Sequence, residues 1–154
     1  MGICPCYSVA MDLKTSFTVM GDPVAKPRQT HKDRWKPSDR VIKYRAWADE
    51  CRTECTGAPD RKVEGDFLGV IAIAHFEIPE SWSQKKKDAH YGKLHRQRPD
   101  NDNILKSVQD ALCEEDSSIA WGQCIKMWVE KDAEPHVDIY ILGVAFLPPS
   151  LKKK

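Results

Sequence analysis

Asp100 and Asp102 stand at the head of the segment RPDNDNILKSVQDALCEED (Arg98 to Asp116). Lys106 and Asp110 follow at four-residue steps, and Glu115 and Asp116 close the run. Two carboxylates so spaced near a helix start can converge on one hard cation. A Mg²⁺ site takes one or two carboxylates and leaves the rest of its octahedron to water and substrate phosphate. A lysine one turn on can offset negative charge developing on a reacting phosphoryl group. The pattern also has a plainer use, since acids in a first turn complement the helix dipole and pair with Lys at i+4. Asp-x-Asp, however, offers more acid than one cap needs.

These side chains need a helix to hold them. At about 100° per residue, Ile104, Leu105, Val108, Ala111 and Leu112 fall in one apolar arc, opposite Asp102, Lys106 and Asp110. The spacing predicts a helix over 101–112, with Pro99 ending the preceding loop and Asp100 or Asp102 capping the first turn. Upstream, TSFTVM (Thr15 to Met20) alternates as a strand, and Gly21-Asp22-Pro23 turns the chain. Val41, Tyr44, Ala48, Cys51 and Cys55 form the stripe of a helix from Ser38 or Asp39 to Thr56, stopped by Gly57. Phe67 to Ile78 is apolar on both faces, which suits a central strand. Cys124 to Glu130 and His136 to Leu142 alternate, and Asp132 to Pro135 reads as the turn of a hairpin joining them. The order β-α-β-α-β-β gives one α+β domain, a mainly antiparallel sheet packed by two helices. The domain is expected over 15–147, after a loosely attached extension at 1–14 and before a basic tail at 148–154.

A chain of 154 residues can bury a real core without disulfides or metals. No apolar run is long enough to span a membrane, and MGICPCYSVAMDLK lacks the layout of a secretory signal, so a cytoplasmic protein is expected. The formal net charge of +1 speaks at first against a nucleic-acid partner. It is a cancellation. Lys26 to Arg45 carries eight Lys/Arg against Asp33 and Asp39, and Lys85 to Arg98 carries six against Asp88. Asp100 to Asp116 then carries six carboxylates against Lys106. Such runs are most often solvated loops. Two basic tracts before an acidic one also make a phosphate-gripping surface beside a pocket that a divalent cation would render tolerable. Lys26, Arg28, Lys85, Lys86, Lys87, Lys93, Arg96 and Arg98 are the candidate phosphate contacts.

Cys4, Cys6, Cys51, Cys55, Cys113 and Cys124 lack the paired spacing of a zinc site and read as small hydrophobes. His75, inside the central strand, reads as a satisfied core residue, whereas His31, His90 and His95 lie in basic loops within reach of phosphate. Trp35, Tyr44, Trp47 and Trp82 could stack on bases, although packing is the commoner use of such residues.

Four segments together carry a family resemblance: FTVMGDPVAKPR (Phe17 to Arg28), IPESWSQKKK (Ile78 to Lys87), RPDNDNILKSVQDAL (Arg98 to Leu112) and EDSSI (Glu115 to Ile119). The chain resembles the RusA family of Holliday-junction resolvases over roughly 15–142. That resemblance implies a homodimeric endonuclease that uses Mg²⁺, with Mn²⁺ substituting, to nick four-way DNA junctions symmetrically. It implies no small-molecule cofactor and no membrane. Asp100 and Asp102 match the family's paired catalytic aspartates, Lys106 its catalytic lysine and Asp116 its distal aspartate. Asp110 matches a recurrent acid on the same helix. The link ALCEE between Asp110 and Asp116 is shorter than the family's usual connection, so Glu115 stands beside Asp116 as a candidate third ligand. Two other readings stay open: a non-catalytic DNA-binding or regulatory module, and a metal nuclease acting on other branched DNA.

Overall fold

Val70, Ala72 and Ala74 are fully buried, and Ile71, Ile73 and His75 between them are only half-buried. Strand alternation therefore gives the central strand one face for the core and another of intermediate exposure. The computed structural model describes residues 11–63, 69–115, 117 and 119–144. Its elements are β1 (Met11–Met20), α1 (Asp39–Thr56), β2 (Gly69–Phe76), α2 (Gln84–His90), α3 (Asn101–Leu112), β3 (Trp121–Trp128) and β4 (His136–Val144). A 3-10 turn, His31–Arg34, shapes the basic stretch before α1. The result is an α+β domain in the order β-α-β-α-α-β-β.

The four strands form one mixed sheet in the order β1-β4-β2-β3. β4 is antiparallel to both β1 and β2, whereas β3 runs parallel to β2. The expected hairpin between the last two strands is therefore wrong. After β3, the Val129 N–H donates to the Phe76 carbonyl at 3.0 Å, so the chain crosses the end of β2 before β4 begins beyond it. The alternation of two strands is the same whether they pair or are separated by a third, and β2, apolar on both faces, takes the inner place. β1 starts four residues before the expected Thr15, and β3 runs from Trp121 rather than Cys124.

α1 and α3 cover the face bearing Val19, Val70, Ala72, Val137, Ile139 and Ile141. From α1 come Tyr44, Trp47, Ala48 and Cys51, and from α3 come Ile104, Val108, Ala111 and Leu112. Gly122 lets α3 sit close on β3, because a Cβ there would lie 2.7 Å from the Gln109 amide and 3.0 Å from Leu105. Gly57 ends α1 in the left-handed region at φ 82°, its N–H donating to the Thr53 carbonyl.

The helix α2 escapes the sequence pattern because it has no buried residue of its own. Ser83 caps it, and Trp82 just before it and His90 at its last position pack edge-on against Trp128. None of the described helices is long and apolar enough to cross a membrane.

Candidate active site and a second cluster of ligating side chains

The N-terminus of α3 is fixed from three sides. Lys126 of β3 gives its ammonium to the carbonyl oxygens of Gln97 and Pro99, the latter at 2.6 Å. The Lys26 N–H donates to the Asn103 carbonyl, tying the stretch after β1 to the first turn. The apolar arc of α3 is anchored in the core below.

Asp100 takes the N-cap position, yet its side chain makes no capping bond. The expected cap is backbone only, the Asp100 carbonyl accepting from Ile104 at 3.3 Å. Asp102, in the first turn, accepts from the N–H of its neighbour Asn103 at 2.9 Å and is exposed. Two exposed carboxylates with hard oxygen donors, one without a capping partner, suit a hard divalent cation. Lys106 is exposed one turn further on. Asp110, the candidate additional acid, has its carboxylate paired with the Lys26 ammonium. Glu115 is exposed beyond the end of α3. Asp116 lies outside the described residues, as do 1–10, 64–68 and 145–154, which include Cys4, Cys6 and the tail.

Two open grooves meet at Asn103. One, about 640 Å³, is lined by Lys26, Pro27, Arg28, Gln29 and Lys106, and the other, about 740 Å³, by Arg40, Arg98, Pro99 and Asp100. Asp100 at the helix start thus shares its groove with Arg40 and Arg98, and Lys26, Arg28 and Lys106 line the adjoining one. Asp33 holds the basic wall in shape. Its carboxylate accepts from the Thr30 N–H at 2.7 Å, the Thr30 hydroxyl at 2.8 Å and the Ser38 N–H at 3.0 Å. The backbone donor of Thr30, foremost among these, lowers its pKa to about 2.

The other expected contacts divide. Arg28, Lys93, Arg96 and Arg98 are exposed, as are Lys85 and Lys86 on α2, with Lys86 lying over the Trp82 ring at 3.8 Å and Lys87 half-buried. His95 is not a phosphate contact: it is 6% exposed, stacked on Phe76 and tilted against Trp128, and burial lowers its pKa. Trp47 and Tyr44 are core residues, the Tyr44 hydroxyl pushed up to about 12 by burial, whereas Trp35 is 78% exposed. Cys51 and Cys113 are buried and Cys55 and Cys124 partly so, and burial raises the pKa of Cys51, Cys55 and Cys124, the last to about 11.

The family model for endodeoxyribonuclease RusA matches residues 20–141. The chain belongs to the RusA endodeoxyribonuclease family. It is therefore a phosphodiester hydrolase of the Holliday-junction resolvase family, with DNA as the substrate that membership implies. No curated protein matches it.

One cluster on this RusA-family chain was missed in the sequence. His75 of β2 and His136 and Asp138 of β4 have ligating atoms all within 4.8 Å of one another, and among the described residues no other His, Cys, Asp or Glu group does so. His75 is thus no core residue but half-buried, with its Nε2 at 3.2 Å from Asp138. The signal was present in part: His136-x-Asp138 on an alternating strand puts both on one face. That His75 stands opposite His136 follows only from the β2–β4 register.

Proposed function

We propose that this chain is a Mg²⁺-dependent, structure-selective endonuclease that resolves four-way DNA junctions by paired, symmetric nicks. The observation that carries the reading is Asp100, a helix-cap aspartate whose carboxylate does no capping, in a groove that it shares with Arg40 and Arg98 two residues before the exposed Asp102. Asp100 and Asp102 would hold the cation, with Asp116 or Glu115 as the third carboxylate. When bound, Mg²⁺, or Mn²⁺ in its place, neutralises charge at the scissile phosphate and makes the attacking water more acidic.

The chain's own residues do the rest. Arg28, Arg40 and Arg98 grip backbone phosphates on either side of the aspartates, which positions the duplex arms without reading sequence. Lys85, Lys86, Lys87, Lys93 and Arg96 extend that basic surface. Lys106 presents an exposed ammonium one turn from Asp102, where it offsets negative charge gathering on the phosphate oxygens. Symmetric nicking needs two sites facing opposed strands, which a homodimer with two-fold symmetry supplies.

The test uses labelled four-way junction, fork, flap and linear duplex, each with and without Mg²⁺. Paired nicks restricted to the junction and dependent on metal are expected. Asp102→Asn should lower the nicking rate by about 10³-fold while junction binding holds or tightens, since repulsion between carboxylate and phosphate falls. Full cleavage by that variant, or binding with no metal-dependent cleavage by the parent chain, overturns the proposal. Equal cutting of forks and flaps would reassign the substrate to branched DNA in general.

A further inference from the structure

We propose that His75, His136 and Asp138 form a second metal site, of the Zn²⁺ class, on the sheet face turned away from α1 and α3. The alternation of each strand separates it from the aspartates of α3. Val137 and Ile139 of β4 point into the core beneath the helices, so His136 and Asp138 point the other way. On β2, Ala74 is buried and His75 projects opposite to it.

The three ligand atoms, two imidazole nitrogens and a carboxylate oxygen, all lie within 4.8 Å of one another. Both imidazole Nε2 atoms face one carboxylate oxygen, Asp138 Oδ2, at 3.2 Å from His75 and 3.5 Å from His136. Tetrahedral Zn²⁺ with bonds of about 2.0–2.1 Å holds neighbouring ligand atoms about 3.3 Å apart. The rings are stacked with centroids 4.1 Å apart, so one imidazole turns out of the stack to bring both Nε2 lone pairs onto a single ion.

Hydrogen bonding around the cluster points the same way. His136 Nδ1 lies 2.7 Å from the Glu134 carbonyl oxygen, an acceptor only, so Nδ1 carries the proton. In the neutral ring the Nε2 lone pair then faces a carboxylate oxygen, and two acceptors so placed call for a cation between them. Asp138 Oδ1 accepts from the Thr18 hydroxyl at 2.7 Å, which fixes the carboxylate and turns Oδ2 towards the histidines. A backbone carbonyl on one imidazole and a hydroxyl on the carboxylate are the outer contacts that orient metal ligands. Two imidazoles and one carboxylate favour Zn²⁺ over Mg²⁺ and leave a fourth position for water. Since Thr18, His75 and His136 with Asp138 lie on three different strands, the ion would bind the folded sheet alone and stabilise it.

The experiment titrates chelator-stripped, full-length protein with Zn²⁺ alone by calorimetry and follows thermal unfolding with and without it. Co²⁺ is the spectroscopic probe, since thiolate ligation adds a charge-transfer band that imidazole and carboxylate do not. One equivalent bound, a melting temperature that rises with Zn²⁺, and cobalt bands free of thiolate character are expected. Asp138→Asn and His136→Gln should each weaken binding by about 100-fold or more, and Thr18→Val by about 10-fold, since outer contacts alone are worth 10- to 100-fold. Asp102→Asn should leave it unchanged, and Mg²⁺ in large excess should not compete. A proton, rather than a metal, between the histidines and Asp138 would appear as no Zn²⁺ uptake and would overturn the proposal. So would a thiolate band, or uptake by the isosteric Asp138→Asn equal to that of the parent chain.

Discussion

The Lys126 ammonium lies 2.6 Å from the carbonyl oxygen of Pro99, the residue that immediately precedes Asp100. The edge strand β3 thereby fixes the point at which a surface loop becomes α3, so the cap aspartate is held from behind by a residue outside the acidic segment. Lys126 touches neither acid, and its role is positioning. Lys126→Met should cut the nicking rate about 10- to 100-fold, because a misplacement of about 1 Å can cost that much. The loss should fall on kcat with KM for the junction little changed, and Lys126→Arg should restore most of it. A fall in KM-dependent binding alone would instead mark Lys126 as a phosphate contact.

Asp110 shares a helix face with Asp102 and Lys106, but its carboxylate is committed to an ion pair. It holds the Lys26 ammonium, with side chains 22% and 36% exposed, and so braces the stretch after β1 against α3. Solvent screens such a pair, and its removal should cost no more than about 1 kcal/mol. Asp110→Asn is expected to melt slightly earlier in thermal denaturation and to keep its cleavage rate within a few-fold, unlike Asp102→Asn.

Asp33 offers a pH test of the basic wall. Its carboxyl titrates at about 2 in the folded chain against 3.8 for an ordinary aspartate. A folded-state pKa below the unfolded one means the charged form stabilises the fold. That contribution is full above pH 3.8, declines as the pH falls and is gone near pH 2. Acid-unfolding curves of the parent chain and Asp33→Asn should therefore differ above pH 3.8 and converge near pH 2. At neutral pH the variant should bind junctions more weakly, because the bonds to Thr30 and Ser38 that shape the Arg28 to Arg40 stretch are lost.

The periodicity of Val41 to Cys55 and of Ile104 to Leu112 was legible because each helix buries a single stripe, and the stripe survives in the structure almost residue for residue. α2 was not legible, since what holds it is Trp82 and His90 against a strand tryptophan far along the chain. Strand order was invisible for a related reason: alternation reports which face a residue takes, never which neighbour it pairs with. The aspartates and Lys106 could be named from local spacing and from the family pattern. His75 with His136 could not, because the two meet only through register, and Lys126 could not, because its partners are backbone carbonyls. Asp110 was legible as a residue but not as half of an ion pair with Lys26.

Trp35 is the most exposed of the large hydrophobic residues among those described and lies in the basic stretch just before α1, with the Arg34 guanidinium 5.4 Å from its ring centre. A side chain that contributes so little to the core can be removed at small cost, within about 0.5 kcal/mol by the usual behaviour of surface substitutions. An exposed indole beside arginine is also a platform on which an unpaired or splayed base can stack, worth about 1–3 kcal/mol per base. Trp35→Ala should therefore melt with the parent chain yet bind four-way junctions on the order of 10-fold more weakly, with Trp35→Phe intermediate. Because a continuous duplex offers few exposed base faces, affinity for linear DNA should change far less, and the ratio of the two affinities, measured at one salt concentration, is the quantity to follow. Equal losses on both substrates would show that Trp35 acts only by holding Arg34 and its neighbours against the phosphates.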